Sequence, residues 1–200
     1  MTEKVVAVHR ALDDAGIEHA FSGALALAYC TAKPRGTDDI DINIGVASRD
    51  AARVVRSLPA EVKWKMQAVR IAEVTGEVKT SWLGETAVDL FFMRNDYHRL
   101  VQQRKEYRPF PGAEGDLPFV TATDLTVFKA LFARAQDWAD IDSMLRSGTV
   151  DVAEALSWVE NLGGAPARAA IEQAVKASTA PLPQTIPMLP PPATGEPVGP

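Results

Sequence analysis

A chain of 200 residues suffices for one ordinary domain plus an appendage, and its excess of 26 Asp and Glu over 21 Lys and Arg, a net charge of -5, excludes a protein that merely coats nucleic acid. The single cysteine, Cys30, excludes an intramolecular disulfide and a thiolate-rich zinc site. With a polar opening MTEKVVAVHR and no apolar run near the roughly 20 residues of a membrane span, the expectation is a cytoplasmic protein with no membrane partner.

In chain order, Val5, Val8, Ala11 and Leu12 share one face of a helix over 3–15, capped by Thr2 and stopped by Gly16. A short strand over 19–22 follows. Gly23 opens a buried apolar helix over 24–32, ended by Lys33-Pro34-Arg35-Gly36. From Asp38 the pattern alternates strictly, with Ile40, Ile42 and Ile44 on one face of a strand and Asp39, Asp41 and Asn43 on the other. A helix over 49–58 and strands over 70–74, 78–83 and 86–92, with Gly76 and Gly84 at their turns, complete a small sheet. Beyond Thr121 the apolar spacing becomes helical through Leu125, Phe128, Leu131, Phe132, Trp138, Ile141 and Leu145, and Gly148, Gly163, Gly164 and Pro166 punctuate three further helices. Eight of the fourteen prolines fall within 181–200, so the folded part is expected to end near Ser178. The fold class is therefore α+β: a small mixed sheet with flanking helices over 1–120, a helical region over 121–178, and a proline-rich disordered tail over 179–200.

Two positions apart on a strand, Asp39 and Asp41 project from the same face, about 7 Å apart. Carboxylates held this close repel unless a cation or proton lies between them, and an all-oxygen site suits Mg²⁺ or Mn²⁺ carrying substrate phosphates. An alternating strand with one wet face shows the same spacing, so the surroundings decide. Ser22-Gly23 sits at a strand-to-helix junction, where backbone N–H groups can approach a phosphate. Arg35 and Thr37 precede the acidic pair, and Asp89 is a lone acid within Val88-Asp89-Leu90-Phe91-Phe92. Three such acids make a two-metal site geometrically feasible.

These strings, FSGALALAYCTAKPRGTDDIDINI, AVDLFF and DLTVFKALFARAQDWADI, resemble the DNA polymerase β-type nucleotidyltransferase superfamily, and within it the AbiEii/AbiGii toxin-like group, over residues 15–146. The small-residue doublet corresponds to Ser22-Gly23. The Arg-x-Thr-x-Asp-hydrophobic-Asp string corresponds to Arg35, Thr37, Asp39 and Asp41, and Lys129, Arg134, Asp137 and Asp140 match a later helix motif. The resemblance implies the nucleotidyltransferase fold and Mg²⁺-dependent transfer of a nucleotide from a nucleoside triphosphate to a hydroxyl. The acceptors the resemblance implies are the 3′ end of tRNA or another RNA, with a cognate antitoxin as partner. It further implies that Asp39, Asp41 and Asp89 bind metal, with Lys129 the fourth catalytic residue. Ser22, Gly23, Arg35, Thr37, Lys129, Arg134, Asp137 and Asp140 bind the nucleotide, although Asp137 and Asp140 equally suit caps or salt bridges. Two alternatives stand beside this reading: transfer to a small molecule such as an aminoglycoside or to a protein hydroxyl, and a catalytically silent nucleotide-binding module.

The cluster Arg94, Arg99, Arg104, Lys105 and Arg108, with Tyr97 and Tyr107 between, suits either RNA steering or a wet helix face. His9, His19 and His98 lack metal-ligand spacing, Cys30 lacks a nearby base, and Trp64, Trp82, Trp138 and Trp158 read as packing residues.

Overall fold

The structure, a computed structural model, describes residues 1–31 and 35–179. The helix expected over 24–32 ends already at Cys30, with Thr31 extended; Ala32, Lys33 and Pro34 and the proline-rich tail from Ala180 onward lie outside the described residues. Helix α1 (Thr2–Asp14) buries Val5, Val8 and Leu12 completely. Thr2 is not its cap: the Val5 N–H already bonds the Met1 carbonyl, so Thr2 is the first helical residue, and no side chain caps this end. Gly16 ends the helix with φ +61°, a left-handed conformation that side chains resist. Strand β1 (His19–Phe21) leads directly into α2 (Gly23–Cys30). Strand β2 (Ile40–Ala47) buries Ile40, Ile42 and Ile44 as the alternation requires.

After a short 3₁₀ turn come α3 (Ala51–Ser57), β3 (Val62–Lys63), α4 (Met66–Thr75), β4 (Glu77–Trp82) and β5 (Thr86–Met93). The strand expected over 70–74 is the end of α4 instead. Val69 and Ala72, three apart, form the buried face while Ile71 and Val74 stand in solvent, so the helical period prevails over the strand propensity of those β-branched residues. Gly76, at φ +73°, caps that helix as well as starting β4. Helix α5 (Asp96–Arg104) and strands β6 (Glu106–Pro109) and β7 (Asp116–Phe119) follow. The sheet is larger than expected, with seven strands in the order β3-β4-β5-β2-β1-β7-β6. The additions are short edge pieces: β3 has two residues, and β6 is exposed at every position, so neither shows an apolar alternation. Central β2 runs parallel to β5 and antiparallel to β1.

The second half is helical as expected: α6 (Ala122–Phe132), α7 (Ala135–Arg146) and α8 (Val152–Thr179), the last broken where Gly164 turns to φ +75° just before Pro166. Helix α6 packs against α2, α7 and α8. The four tryptophans pack against the core, as expected. Burial raises the Cys30 thiol to about 12, which keeps it protonated and inert.

His9 and His19 bind each other rather than a metal. His19 Nδ1 donates to the Ile17 carbonyl at 2.8 Å, which leaves its Nε2 to accept from His9 Nδ1 at 2.9 Å. Burial pushes His19 down to about 4, with the Ile17 bond opposing. The unfolded chain therefore binds more protons than the folded one between about pH 6.5 and 4, and this pair costs stability as pH falls through that window. His19→Gln lacks the charging penalty. Its stability relative to the parent should improve by about 3 kcal/mol from pH 7 to pH 4 in denaturant titrations, and a pH-independent difference would refute this account.

Candidate active site

The site forms on one face of the central strands, where residues of neighbouring strands fall into rows. Asp41 on β2 is in register with Asp89 on β5, which is opposite Lys79 on β4, while the Ser22 N–H bonds the Asp41 carbonyl from the other side. The next row along is Asn43, Phe91 and Glu77. Helix α6 brings Phe128, Lys129 and Phe132 to this face, and together these groups line a cleft of about 430 Å³. Ser22, Gly23, Arg35, Thr37, Asp39, Asp41, Asp89, Lys129, Arg134 and Asp137 all line it. Of the sequence candidates only Asp140 stands behind the wall. Asp39 is exposed on the turn before β2, where its N–H is held by Thr37 Oγ1 at 3.1 Å.

The acids divide sharply by environment. Asp137 accepts from Lys129 and from the Arg134 backbone and guanidinium, which makes it the capping residue of α7. Asp140 accepts from Lys129 at 2.6 Å, from Arg35 through two nitrogens, and from Gln136. Burial disfavours ionisation of both, but these donors outweigh it and hold both carboxyls below their ordinary value. The expected cap and salt-bridge contacts of this pair are thus present. Asp39, Asp41 and Asp89, by contrast, have side chains that receive no hydrogen bond or ion pair among the described residues. Burial lifts Asp41 above its ordinary value, Asp39 adds to the lift, and Lys129, Arg134 and Arg35 oppose it. Burial lifts Asp89 to about 6 against the opposing charge of Lys79, with Asp41, Glu77 and Asp39 adding to the lift.

Oxygen-only donors without protein partners fit a hard divalent cation in chemical type. Among the described residues no three His, Cys, Asp or Glu side chains are yet gathered to ligating distance, because Asp39 lies on the turn outside the β2–β5 pair.

Gly23 is the residue that lets Asp41 stand here. Its φ is +54°, and a Cβ would lie 1.8 Å from Asp41 Oδ2. Gly23→Ala is expected to cost about 1–2 kcal/mol for the backbone alone and to displace the carboxylate, which should remove activity at the site. A variant that kept wild-type ligand binding and stability would show that this contact is dispensable.

Several residues of the cleft go beyond the sequence candidates. Asn43, Glu77, Lys79 and Phe91 follow from strand alternation once the faces are known, whereas Phe128, Phe132 and His98 come from helices whose sequence patterns read as ordinary packing. The basic cluster does not form one accessible face. Arg104 turns inward to Asp124 and Glu154, Tyr97 is buried, and Arg99 and Arg108 pair with Asp96 and Glu106.

No family model matches the chain, and no curated protein matches it in sequence. Among solved structures it is similar to the antibiotic-resistance factor ANT(2'')-Ia, with a TM-score of 0.56 and 11% identity over 88% of this chain and 97% of that one. The chain has a nucleotidyltransferase-like fold. Other similar structures are an antigenic nucleotidyltransferase-like protein from Paracoccidioides brasiliensis (TM-score 0.49, 19% identity, 88% of this chain and 93% of that one) and a lincomycin-bound lincosamide antibiotic adenylyltransferase (TM-score 0.47, 10% identity, 72% and 96%). No helix among the described residues is long and apolar enough to cross a membrane.

Proposed function

We propose that this protein is a divalent-metal-dependent nucleotidyltransferase that moves a nucleotide from a nucleoside triphosphate to an acceptor hydroxyl. The observation that carries the reading is the contrast between three cleft carboxylates with no side-chain partner among the described residues and the fully bonded Asp137 and Asp140 beside them.

Asp39, Asp41 and Asp89 would hold Mg²⁺, with Mn²⁺ as a substitute, and the bound ion supplies charge neutralisation for the phosphates and acidifies the acceptor hydroxyl. Ser22 and Gly23 present the start of α2 to the phosphates, and Arg35, Thr37, Lys129 and Arg134 supply charge and donors at the same side. Asp137 and Asp140 aim Lys129 and Arg35. Asp89 takes the proton from the acceptor as its oxygen bonds the α-phosphorus and pyrophosphate leaves.

The toxin-like assignment, with an RNA 3′ end such as that of tRNA as acceptor and a cognate antitoxin as partner, is supported by the Ser22-Gly23, Arg35-to-Asp41 and Lys129-to-Asp140 strings. A small-molecule acceptor is favoured by a different observation, the aromatic wall beside Asp89. Labelled triphosphates with Mg²⁺ or Mn²⁺ are to be incubated with total tRNA, aminoglycosides and protein acceptors. Label on an acceptor, lost in folded Asp41→Ala, is the expected result. Thermal stabilisation by triphosphate with no labelled product would replace the enzyme by a silent binding module.

A further inference from the structure

Of the three cations that act on the Asp41 charge, Arg134 is the most exposed, with 71% of its side chain open against 40% for Arg35 and 6% for Lys129. An exposed arginine ordinarily samples many rotamers, and fixing one of them costs entropy when a ligand arrives. This one is held from two directions. Its Nε donates to Asp137 Oδ2 at 2.7 Å and its Nη2 to Asp137 Oδ1 at 3.2 Å, while the guanidinium carbon stands over the Phe132 ring, 5.3 Å from the ring centre. Its Nη1 makes no hydrogen bond among the described residues. The backbone is bent to make this contact. Helix α6 ends at Phe132, and Ala133, whose N–H bonds the Lys129 carbonyl at 2.8 Å, takes the left-handed conformation with φ +54°. Glycine is the usual residue at such a helix end, because a Cβ resists positive φ. The turn brings Arg134 back over the residue two places before it and starts α7, whose first turn supplies Asp137.

Phe132 is 56% exposed and rests edge-on against Phe91, with 6.2 Å between the ring centres. Core packing does not explain a large ring that stays more than half open beside the cleft. Carrying a guanidinium does, because the negative face of the ring attracts a cation. We infer that Phe132 is a positioning residue, whose ring holds Arg134 over the cleft so that the phosphates of the triphosphate meet a cation already in place. The inference rests on the nucleotidyl-transfer reading. Phe132 touches no phosphate itself. It removes rotamer freedom that Arg134 would otherwise lose on binding, and Asp137 takes up one edge of the guanidinium, which leaves Nη1 for the ligand. An aliphatic residue of similar size would cover the same apolar surface without the ring quadrupole, so the role belongs to an aromatic residue and not to bulk alone.

The probe is α,β-methylene ATP with Mg²⁺, titrated calorimetrically onto the full chain. Phe132→Ala and Phe132→Leu should each weaken binding about three- to fivefold, and Phe132→Tyr should keep it within about 1.5-fold of wild type. In an Arg134→Ala background, Phe132→Ala should add less than about 1.5-fold, since a ring that acts through the guanidinium has nothing left to hold. A loss of equal size in both backgrounds places the ring on the ligand itself and overturns the inference, as does undiminished binding in Phe132→Ala. In the ligand-free chain, ¹⁵N relaxation of the Arg134 Nε–H should show a more ordered side chain in the wild type and Phe132→Tyr than in Phe132→Ala. Equal order in all three overturns the inference whether or not a triphosphate binds. A wild type that fails to bind the triphosphate refutes the nucleotidyl-transfer reading instead, and the relaxation data still decide whether the ring holds Arg134.

Discussion

Asp41→Asn is expected to lower nucleotide transfer by at least about a hundredfold, the scale of losing one preorganised electrostatic group, while raising the melting temperature of the metal-free protein at neutral pH. The two effects have one origin. The Asp41 carboxylate is pressed against Gly23, near Asp39, with no hydrogen-bond donor among the described residues, so its charge is unfavourable until a cation or a phosphate-bound ion shares it. A carboxyl whose folded-state pKa is raised keeps its proton over a window where the unfolded chain has released it. Rising pH through that window weakens folding, and asparagine removes the loss.

Asp89 follows the same rule, with its window running from the ordinary 3.8 up to about 6. Asp89→Asn should therefore gain on the wild type as pH rises from 4 to 6. The effect is on the order of 1 kcal/mol once the half-exposed setting of this carboxyl is discounted for solvent screening. His19 acts in nearly the same window with the opposite sign, so the wild-type profile is flattened and only the differences between variants isolate each group. Melting curves in EDTA at pH 4 and 7, paired with transfer assays, check the prediction. An Asp41→Asn protein that melts lower at pH 7, or retains transfer, contradicts it.

Asp124→Ala is the substitution expected to cost most stability, about 3–5 kcal/mol, because it strands a charge. Asp124 is fully buried at the first turn of α6 and accepts from Tyr97 Oη at 2.7 Å, from Thr121 Oγ1 at 2.8 Å and from Arg104 Nε at 2.8 Å. Arg104 also reaches Glu154 on α8, so one carboxylate ties together α5, α6 and α8. With it removed, the guanidinium keeps only the half-exposed Glu154. The predicted fall in melting temperature is on the order of 10 °C. Tyr97→Phe deletes a single bond and should cost only about 1 kcal/mol by the same measurement. A Asp124→Ala protein within about 1 kcal/mol of wild type would mean that the network contributes little. Because α6 carries Phe128, Lys129 and Phe132, a partial loosening should also weaken ligand binding at a site Asp124 never touches.

What the sequence shows well are features whose cause is local. Strict alternation in Ile40 to Ile44 defines a strand with one wet face, and placed Asp41 correctly on it. A glycine after a small residue marked the β1–α2 junction, and the apolar spacing after Thr121 marked the helices. The edge strands β3 and β6 left no such trace, because a two-residue or fully exposed strand is held by its neighbours' hydrogen bonds and buries little of its own. The segment 70–74 misleads for a related reason. The β-branched Ile71 and Val74 suit a strand, but only the packing of Val69 and Ala72 decides that the segment is helical.

By itself, then, the sequence singled out the candidate residues: the acids Asp39, Asp41 and Asp89, the Ser22-Gly23 doublet and Lys129 are all readable from residue type and spacing, and the fold brings them to one cleft. Only the tertiary structure decided what those residues are free to do. Asp137 and Asp140 are as acidic as Asp41 in the sequence, yet the folding of α6 and α7 against the 35–39 turn supplies them with Lys129, Arg134 and Arg35, while the parallel register of β2 and β5 sets Asp41 beside Asp89 with no donor between. Apart from the local Arg134–Asp137 cap, the difference between a bonded structural carboxylate and an available one lies in contacts between elements, which no local pattern encodes.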